Sequence, residues 1–250
     1  MSTALSRISI VLVEPSHPGN IGAAARAMKT MGLSRLMLVR PPTFLCAEAT
    51  AMAAGADELL VRARVCESLA EAVAGCGRVI GTTARERRIP WPVHTPRDMA
   101  GELIAAAMNT EVAVLFGREH AGLTNEEMET CQAMIQIPTE AEFSSLNLAA
   151  AVQIVAYELR LAASAFMDQT VLPSAPVASL MQTEMQRFYA HLERTLMAVG
   201  FLDPEKPRRL MRRLRRLFNR AVLDQTEVNI LRGFFTAVEK HNASTIDAED

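Results

Sequence analysis

The chain has 250 residues, enough for one large domain or for a medium domain with a small one, and half of its residues are apolar, so it can bury a substantial core. Its net charge of −2 indicates nothing about nucleic acid until the charges are located along the chain. The cysteines at positions 46, 66, 76 and 131 form no C-x-x-C pair, and no His/Cys cluster has metal-ligand spacing. Composition therefore disfavours a disulfide framework and a zinc site.

The compartment follows from the same features. Reduced structural thiols are typical of a cytosolic protein. The N-terminus lacks a basic segment followed by an apolar signal core. We therefore expect a cytoplasmic protein with no metal and no membrane association.

Strands and helices alternate through the first two thirds of the chain. Ile8–Val13 is a continuous apolar run, which predicts a strand buried on both faces, as in a parallel sheet. Further strands are predicted at Arg35–Val39, Arg64–Cys66, Arg78–Thr83, Val112–Phe116 and Met134–Ile137. Helices are predicted at Ile21–Met31, Glu48–Ala54, Leu69–Ala74, Arg97–Asn109 and Asn125–Cys131. This order predicts an α/β domain with a mostly parallel sheet and helices on both faces, and such sheets bind ligands at the carboxyl ends of their strands.

The stretch Ile137–Glu158 follows the last predicted strand. Its polar turn contains Ser144 and Ser145, either of which is a candidate N-cap for a long apolar helix beginning near Leu146. That helix is apolar nearly all round, which indicates burial on several sides. It also carries charged residues that make it a poor membrane span.

The C-terminal third has a different character. Two prolines mark a linker, and three helical segments follow it, which predicts a small all-α domain. The predicted division is residues 1–167, a linker at 168–178 and a helical extension at 179–250. Its middle helix concentrates positive charge with no acid between Lys206 and Arg220, which favours contact with an RNA backbone over a solvated face of mixed sign. The candidate RNA-binding residues there are Arg208, Arg209, Arg212, Arg213, Arg215 and Arg216.

Three loops at predicted strand ends carry motifs. They are N-x-G-x-x-x-R from Asn20 to Arg26, F-G-x-E-x-x-G-L from Phe116 to Leu123, and I-P followed by S-S-L-N-L from Ile137 to Leu148. Gly22 lets another backbone approach the start of its helix, and Gly117 suggests backbone wrapped around a ligand. No strand end carries a dinucleotide or P-loop fingerprint.

This ordered trio resembles the SPOUT RNA methyltransferases. The sequences GTTARERRIPWP and RRLMRRLRRLFNRA make the chain similar, over essentially its whole length, to the SPOUT subfamily that methylates the ribose 2′-oxygen of cytidine or uridine 32 in the tRNA anticodon loop. The resemblance implies an α/β fold with a C-terminal trefoil knot, S-adenosylmethionine as cofactor, tRNA as partner and a homodimer. Nothing in periodicity or composition predicts the knot.

The resemblance also implies the site residues. Cofactor contacts are carried over onto Thr82, Thr83, Ala84, Gly117, Ile137, Ser144, Ser145 and Leu146. The residues around the reacting ribose and its phosphates are carried over onto Arg26, Arg87 and Ser145. Apart from the resemblance, the loop with Arg85, Arg87 and Arg88 forms a second basic patch near this site, and Arg85 and Arg88 are candidate RNA-binding residues.

Chemistry limits the roles of these residues. A guanidinium rarely gives up its proton, so Arg26 is assigned to orienting the ribose and stabilising developing oxyanion charge, while His17 and Glu119 are possible bases that are more often structural. We expect Gly117→Val to abolish cofactor binding with little loss of fold. Three alternatives stay open: an rRNA ribose methyltransferase, a non-catalytic RNA-binding or assembly factor, and a transcription factor that places the arginine helix in a DNA groove.

Overall fold

The protein is described by a computed structural model that covers residues 4–84, 92–140, 142–168, 181–205, 209–221 and 223–246. A seven-stranded sheet has the order β3-β2-β1-β6-β4-β7-β5, and all neighbouring strands are parallel. The strands are β1 (Ile8–Val13), β2 (Arg35–Val39), β3 (Arg64–Cys66), β4 (Cys76–Thr82), β5 (Val93–His94), β6 (Glu111–Phe116) and β7 (Ala133–Ile135).

The centre of the sheet is buried on both faces. Every residue of β1 is buried, and β6 is buried from Val112 onward. Alternate side chains of these strands enter two separate hydrophobic clusters, one on each face, with Ile10 in one and Val11 in the other. The continuous apolar runs of the sequence therefore reflect a sheet covered by helices on both sides, as predicted.

Helices connect the strands. They are α1 (Pro18–Met31), α2 (Ala47–Ala53), α3 (Asp57–Val61), α4 (Leu69–Val73), α5 (Pro96–Ala107), α6 (Asn125–Met128) and α7 (Leu148–Asp168). Gly32 ends α1 in the left-handed conformation, at φ 82°. A Cβ on Gly22 would lie 2.1 Å from the carbonyl oxygen of Ala49, so the expected close approach of another backbone is confirmed and comes from α2.

The long apolar helix α7 is a core helix. It packs against α1 and α5, and residues such as Val152, Val155 and Leu159 are buried in the larger cluster. By length and hydropathy alone α7 could cross a membrane, but 39% of this apolar stretch is buried in the protein, on the face that packs against α1 and α5. The prediction that Ser144 or Ser145 caps it is wrong. The side-chain oxygen of Asn147 accepts hydrogen bonds from the amides of Ala149 (2.9 Å) and Ala150 (3.3 Å) instead.

Three further helices form the C-terminal part: α8 (Gln182–Ala198), α9 (Leu210–Ala221) and α10 (Gln225–Ile246). They enclose a third cluster centred on Phe188, whose ring packs edge-on against Tyr189 and Phe218. This unit also touches the α/β part, because Asn219 Nδ2 donates a hydrogen bond to the backbone oxygen of Glu129 (2.8 Å). The domain boundaries at 167 and 178 remain a prediction.

The sequence-based elements agree closely with these bounds. The predicted strands Ile8–Val13, Arg35–Val39 and Arg64–Cys66 are confirmed. Among the α-helices and strands of the described residues, α3 and β5 lie where no element was predicted, as does a short 3-10 helix at Leu5–Arg7. The two residues of β5 pair with β7 alone, so its strand conformation depends on a neighbour distant in sequence. The structure bears out the α/β sheet and the helical C-terminal part, and the knot stays a prediction.

Candidate active site

A cleft opens at the carboxyl ends of three adjacent strands. Its walls are the segments that follow β4, β6 and β7, and its floor includes Leu148 and Ala151 from the start of α7. The cleft encloses about 940 Å³ of empty space, open mouth included. The eight positions carried over for the cofactor all line it: Thr82, Thr83, Ala84, Gly117, Ile137, Ser144, Ser145 and Leu146.

Strand pairing holds the first wall in place. The hydroxyl of Thr82 donates to the backbone oxygen of Leu115 (2.9 Å), and the amide of Thr83 donates to the backbone oxygen of Ile135 (2.9 Å). These bonds tie the ends of β4, β6 and β7 together. The hydrogen of the Thr82 hydroxyl is therefore already engaged within the protein.

The loop 117–123 folds back on itself. The amide of Gly122 donates to the backbone oxygen of Arg118 (2.9 Å), which places the backbone after Gly122 directly against Gly117. A Cβ on Gly117 would lie 2.1 Å from the carbonyl carbon of Gly122 and 2.2 Å from the nitrogen of Leu123. Gly117 is therefore required by the loop's own packing, which corrects the expectation that Gly117→Val would spare the fold.

Ion pairs anchor the same loop from behind. Arg118 donates two hydrogen bonds of 3.0 Å to the carboxylate of Glu127 and one of 2.6 Å to Glu14. The hydrogen bonds that Arg118 donates, first to Glu127 and then to Glu14, raise the pKa of Arg118, and the same bond holds the pKa of Glu14 below its usual value. Glu14, at φ 45°, also pairs with Arg40. These ion pairs therefore link the carboxyl ends of β1, β2 and β6, on the side of the loop that faces away from the cleft.

A chain of hydrogen bonds joins the three sequence motifs. Asn20 Nδ2 donates to Glu119 Oε1 (3.0 Å), and Asn147 Nδ2 donates to Asn20 Oδ1 (2.8 Å). The amide of Ser16 donates to both carboxylate oxygens of Glu119, at 2.9 and 3.1 Å. One polar residue from each motif therefore takes part in a single network beside the cleft.

This network determines the charge of Glu119. Burial alone would raise the pKa of Glu119, but hydrogen bonds from Asn20 and Ser16 outweigh it and leave the pKa below its usual value. Glu119 is thus an ionised acceptor that holds the start of α1. Most lone pairs of the Glu119 carboxylate already accept hydrogen bonds, which favours a structural role over the role of general base.

The residues carried over for the reacting ribose are placed unequally. Ser145 lines the cleft and is exposed, whereas Arg26 is exposed on α1 and is absent from the described lining of the cleft in its own chain. Arg87 lies outside the described residues, as do the basic-patch residues Arg85 and Arg88 and the helix residue Arg208.

The remaining candidate RNA-binding arginines lie on or beside α9. Arg209 and Arg213 are exposed and Arg216 is half-buried. Arg212 forms an ion pair with Glu129. Arg215 lies over the ring of Tyr189, 4.7 Å from its centroid. The basic helix therefore has two kinds of arginine, outward-facing ones and ones engaged by the protein.

Sequence comparison assigns the chain to a family. Residues 7–157 match the SpoU rRNA Methylase family. The chain belongs to the SpoU methylase family. The resemblance that the motifs indicated is thereby confirmed, and residues 183–248 of this SpoU methylase also match the C-terminal domain of the tRNA methyltransferase TrmJ.

Individual relatives agree with this assignment. The tRNA (cytidine/uridine/adenosine-2′-O-)-methyltransferase TrmJ of Pseudomonas aeruginosa is 52% identical over 244 residues, covering 94% of this chain and 95% of that protein. The crystal structure of TrmJ from Z. mobilis ZM4 matches with a TM-score of 0.78 at 36% identity, covering 92% of this chain and 98% of that one. A structure described as giving insights into 2-OH methylation of C/U34 on tRNA matches with a TM-score of 0.50 at 27% identity, covering 63% and 91%. This SpoU methylase therefore groups with TrmJ along nearly its whole length.

Sequence reasoning missed the anchoring residues. Arg118 and Glu14 carry no motif signature of their own, and their pairing joins positions 104 residues apart. Asn147 was visible inside S-S-L-N-L, and the preference of asparagine for N-caps could have identified it. In the described part of the chain no group of three metal-ligating side chains is found.

Proposed function

We propose that this SpoU methylase transfers a methyl group from S-adenosylmethionine to the 2′-oxygen of a ribose in tRNA, with nucleotide 32 of the anticodon loop as the target. The proposal rests chiefly on one observation: the second and third motif loops line one cleft, and Asn20 of the first is hydrogen-bonded to both beside it, in a chain that is 52% identical to a tRNA 2′-O-methyltransferase. When bound, the cofactor supplies an electrophilic methyl carbon. Methyl transfer to the 2′-oxygen would yield S-adenosylhomocysteine and release the hydroxyl proton to solvent, with the residues of the cleft holding the cofactor and the ribose in place.

The residues of the cleft suit such a ligand. Its apolar floor and wall, with Leu148, Ile135 and Ile137, can cover an adenine ring, and the backbone of loop 117–123 can supply donors and acceptors to its edge. Thr83 and Ser144 add polar groups at the rim. Because ion pairs and hydrogen bonds already fix this loop, little ordering is required on binding.

The chain's own residues promote the chemical step by positioning the ribose. Holding the 2′-oxygen in line with the methyl carbon can contribute roughly 7–11 kcal/mol. Ser145 at the mouth of the cleft is suited to hold the ribose, and Arg26 to stabilise charge that develops on its oxygen. Arg87 completes the set carried over from the family.

Arg26 is the sharpest test of these roles. In single-turnover methylation of tRNA, Arg26→Ala should lower the rate far more than the affinity for tRNA. Arg62→Ala is the matched control. Arg62 is exposed and precedes β3, so it lies near the amino ends of the strands, whereas the cleft lies at their carboxyl ends. Equal rates for both variants would remove Arg26 from the mechanism. Mixing Arg26→Ala with Ser145→Ala subunits tests whether Arg26 serves its own cleft or a partner's, because activity returns in the mixture only in the second case.

We also propose a homodimer formed through α7. The side chains of Val152, Val155 and Leu159 face the core of their own chain, so they cannot pack against a second copy. The outer side of α7 carries Tyr157 and Leu161, which are 47% and 44% exposed and four residues apart.

The mass in solution tests this dimer. Tyr157→Asp should shift the protein toward a monomer, while Val61→Asp, at an apolar position 75% exposed on α3, should leave the mass unchanged. A wild type that is monomeric at micromolar concentration and fully active would contradict the proposal.

The target nucleotide needs its own experiment. A related structure concerns C/U34, and the Pseudomonas aeruginosa relative is named for adenosine as well as cytidine and uridine. Mass spectrometry of nuclease-digested tRNA, with each base placed in turn at positions 32 and 34, should show methylation at 32. Methylation at 34, or of rRNA in place of tRNA, would refute that assignment. Absence of S-adenosylmethionine binding by calorimetry would refute the enzymatic function altogether.

A further inference from the structure

The basic helix has two faces with different environments. Arg209, Arg213, Arg216 and Arg220 follow one another at intervals of four, three and four residues, so they form one stripe along the helix. The amide of Arg213 donates to the backbone oxygen of Arg209 (3.1 Å), so the helical path includes the first of them. The stripe is about 16 Å long at ~1.5 Å per residue. Within the described part of the chain no acidic side chain pairs with any of these four.

The other face is engaged by the protein. Arg212 pairs with the carboxylate of Glu129, and the side chains are 28% and 16% exposed. Asn219, two turns further on, donates to the backbone oxygen of the same Glu129 (2.8 Å). A single residue of the α/β part therefore receives two contacts from α9.

Asn219 is itself held in the helical core. It is buried, and its side-chain oxygen accepts a hydrogen bond from the hydroxyl of Tyr189 (2.6 Å). Burial raises the pKa of Tyr189 above its ordinary value. The guanidinium of Arg215 covers the ring of the same tyrosine. Arg212, Arg215 and Asn219 thus lie on a docking face that joins α9 to α8 on one side and to Glu129 on the other.

Glu129 has a particular place in the chain. It is the C-terminal cap residue of α6, which begins at the capping box formed by Thr124 and Glu127, and Glu127 anchors the cleft loop through Arg118. The segment after it leads through β7 to Ile135 and Ile137 in the cleft wall. The docking contact therefore connects the basic helix to the elements that build the cleft.

We infer that Glu129 orients the basic helix, and that Arg212 is a positioning residue and not a phosphate ligand. The stripe Arg209–Arg213–Arg216–Arg220 then supplies the contacts to the sugar–phosphate backbone of tRNA. This inference rests on the proposed function, because it takes tRNA as the partner. The arginines of this helix cannot be told apart in the sequence. The inference assigns four of them to tRNA binding and Arg212 to holding the helix against Glu129.

Glu129→Gln gives a test in which the two explanations predict opposite signs. If Glu129 is merely an acid near an RNA-binding surface, removing its charge should strengthen tRNA binding. If it orients the helix, losing a charge-assisted contact should weaken docking, and tRNA affinity should fall by roughly tenfold. Filter binding of the full-length protein to tRNA measures this directly.

Arg212→Ala and its neighbour Arg213→Ala form a matched pair that loses equal charge. Arg213→Ala should reduce the log–log salt slope of affinity by about 0.7–0.9, the value for one phosphate contact. Arg212→Ala should weaken affinity and leave that slope unchanged. The exchanged pair Glu129→Arg with Arg212→Glu should restore affinity. S-adenosylmethionine titration of each variant serves as the control for folding.

Hydrogen exchange without RNA separates this inference from the proposed function. In Arg212→Ala and Glu129→Gln, but not in Arg213→Ala, the amides of α9 and of residues 129–132 should exchange faster. Unchanged exchange, tighter tRNA binding by Glu129→Gln, or an equally reduced salt slope in Arg212→Ala would each overturn the docking role. A wild type that binds the cofactor but no tRNA would overturn the role of the stripe, and the exchange data would still decide the docking contact.

Discussion

Replacing Gly117 with alanine tests how the cleft loop is built. The added Cβ would lie 2.1 Å from the carbonyl carbon of Gly122, whereas ordinary Cβ contacts begin at 3.4 Å. The backbone of the loop would have to withdraw by about 1.3 Å, the difference between these distances. The obstacle is backbone and not a flexible side chain, so the strain cannot be relieved by a rotamer change.

The magnitude follows from this geometry. Overpacking of this kind costs about 1–3 kcal/mol, and a chain of this length loses roughly 2–4 °C in melting temperature per kcal/mol. Cofactor affinity should fall by at least about tenfold, which corresponds to one hydrogen bond from the displaced loop. Thermal unfolding and calorimetric titration with S-adenosylmethionine measure the two effects.

Gly101→Ala is the matched control. Gly101 lies within α5 and has nothing within 4 Å of the position of an added Cβ. Alanine there should stabilise the helix by about 0.5–1 kcal/mol and leave cofactor binding unchanged. If Gly117→Ala has the melting temperature and the cofactor affinity of the wild type, this expectation is refuted. The backbone of the loop would then not pack against Gly117 as described, and the loop would not form the ligand-binding site.

Three other changes probe the surrounding framework. Asn147→Ala should cost about 1 kcal/mol through loss of the N-cap of α7 and should weaken cofactor binding, as chemical denaturation and calorimetry will show. The pKa of Glu119 is lowered in the folded protein, so its stabilising contribution is present above the usual value of 4.5 and is lost as the pH falls through the folded value. Glu119→Gln should therefore be less stable than the wild type at pH 7, with a smaller difference in acid; a constant difference across an acid titration would contradict this. Gly22→Ala should destabilise the protein by more than about 1 kcal/mol because its Cβ would meet the backbone of Ala49, and an unchanged melting temperature would show that α1 and α2 can separate without cost.

Much of the fold was determined locally. The apolar run Ile8–Val13 specifies a strand buried on both faces whatever lies beside it, because each face must be covered. Gly32 ends α1 where its left-handed conformation requires glycine. The order of the three motifs was likewise sufficient to identify the family, and the eight positions carried over from it line one cleft.

Only the tertiary structure decided which partners those residues have, and therefore which role each can play. Glu119, Asn20 and Asn147 form one network because parallel strands deliver their loops to the same edge of the sheet, and no local pattern encodes that meeting. The cap of α7 depended on which polar side chain the turn brought to the first free amides. The arginines of α9 look equivalent in sequence, but Arg212 is paired with Glu129, 83 residues away. Charge and periodicity are properties of a segment, whereas the partner of a charge is a property of the folded chain.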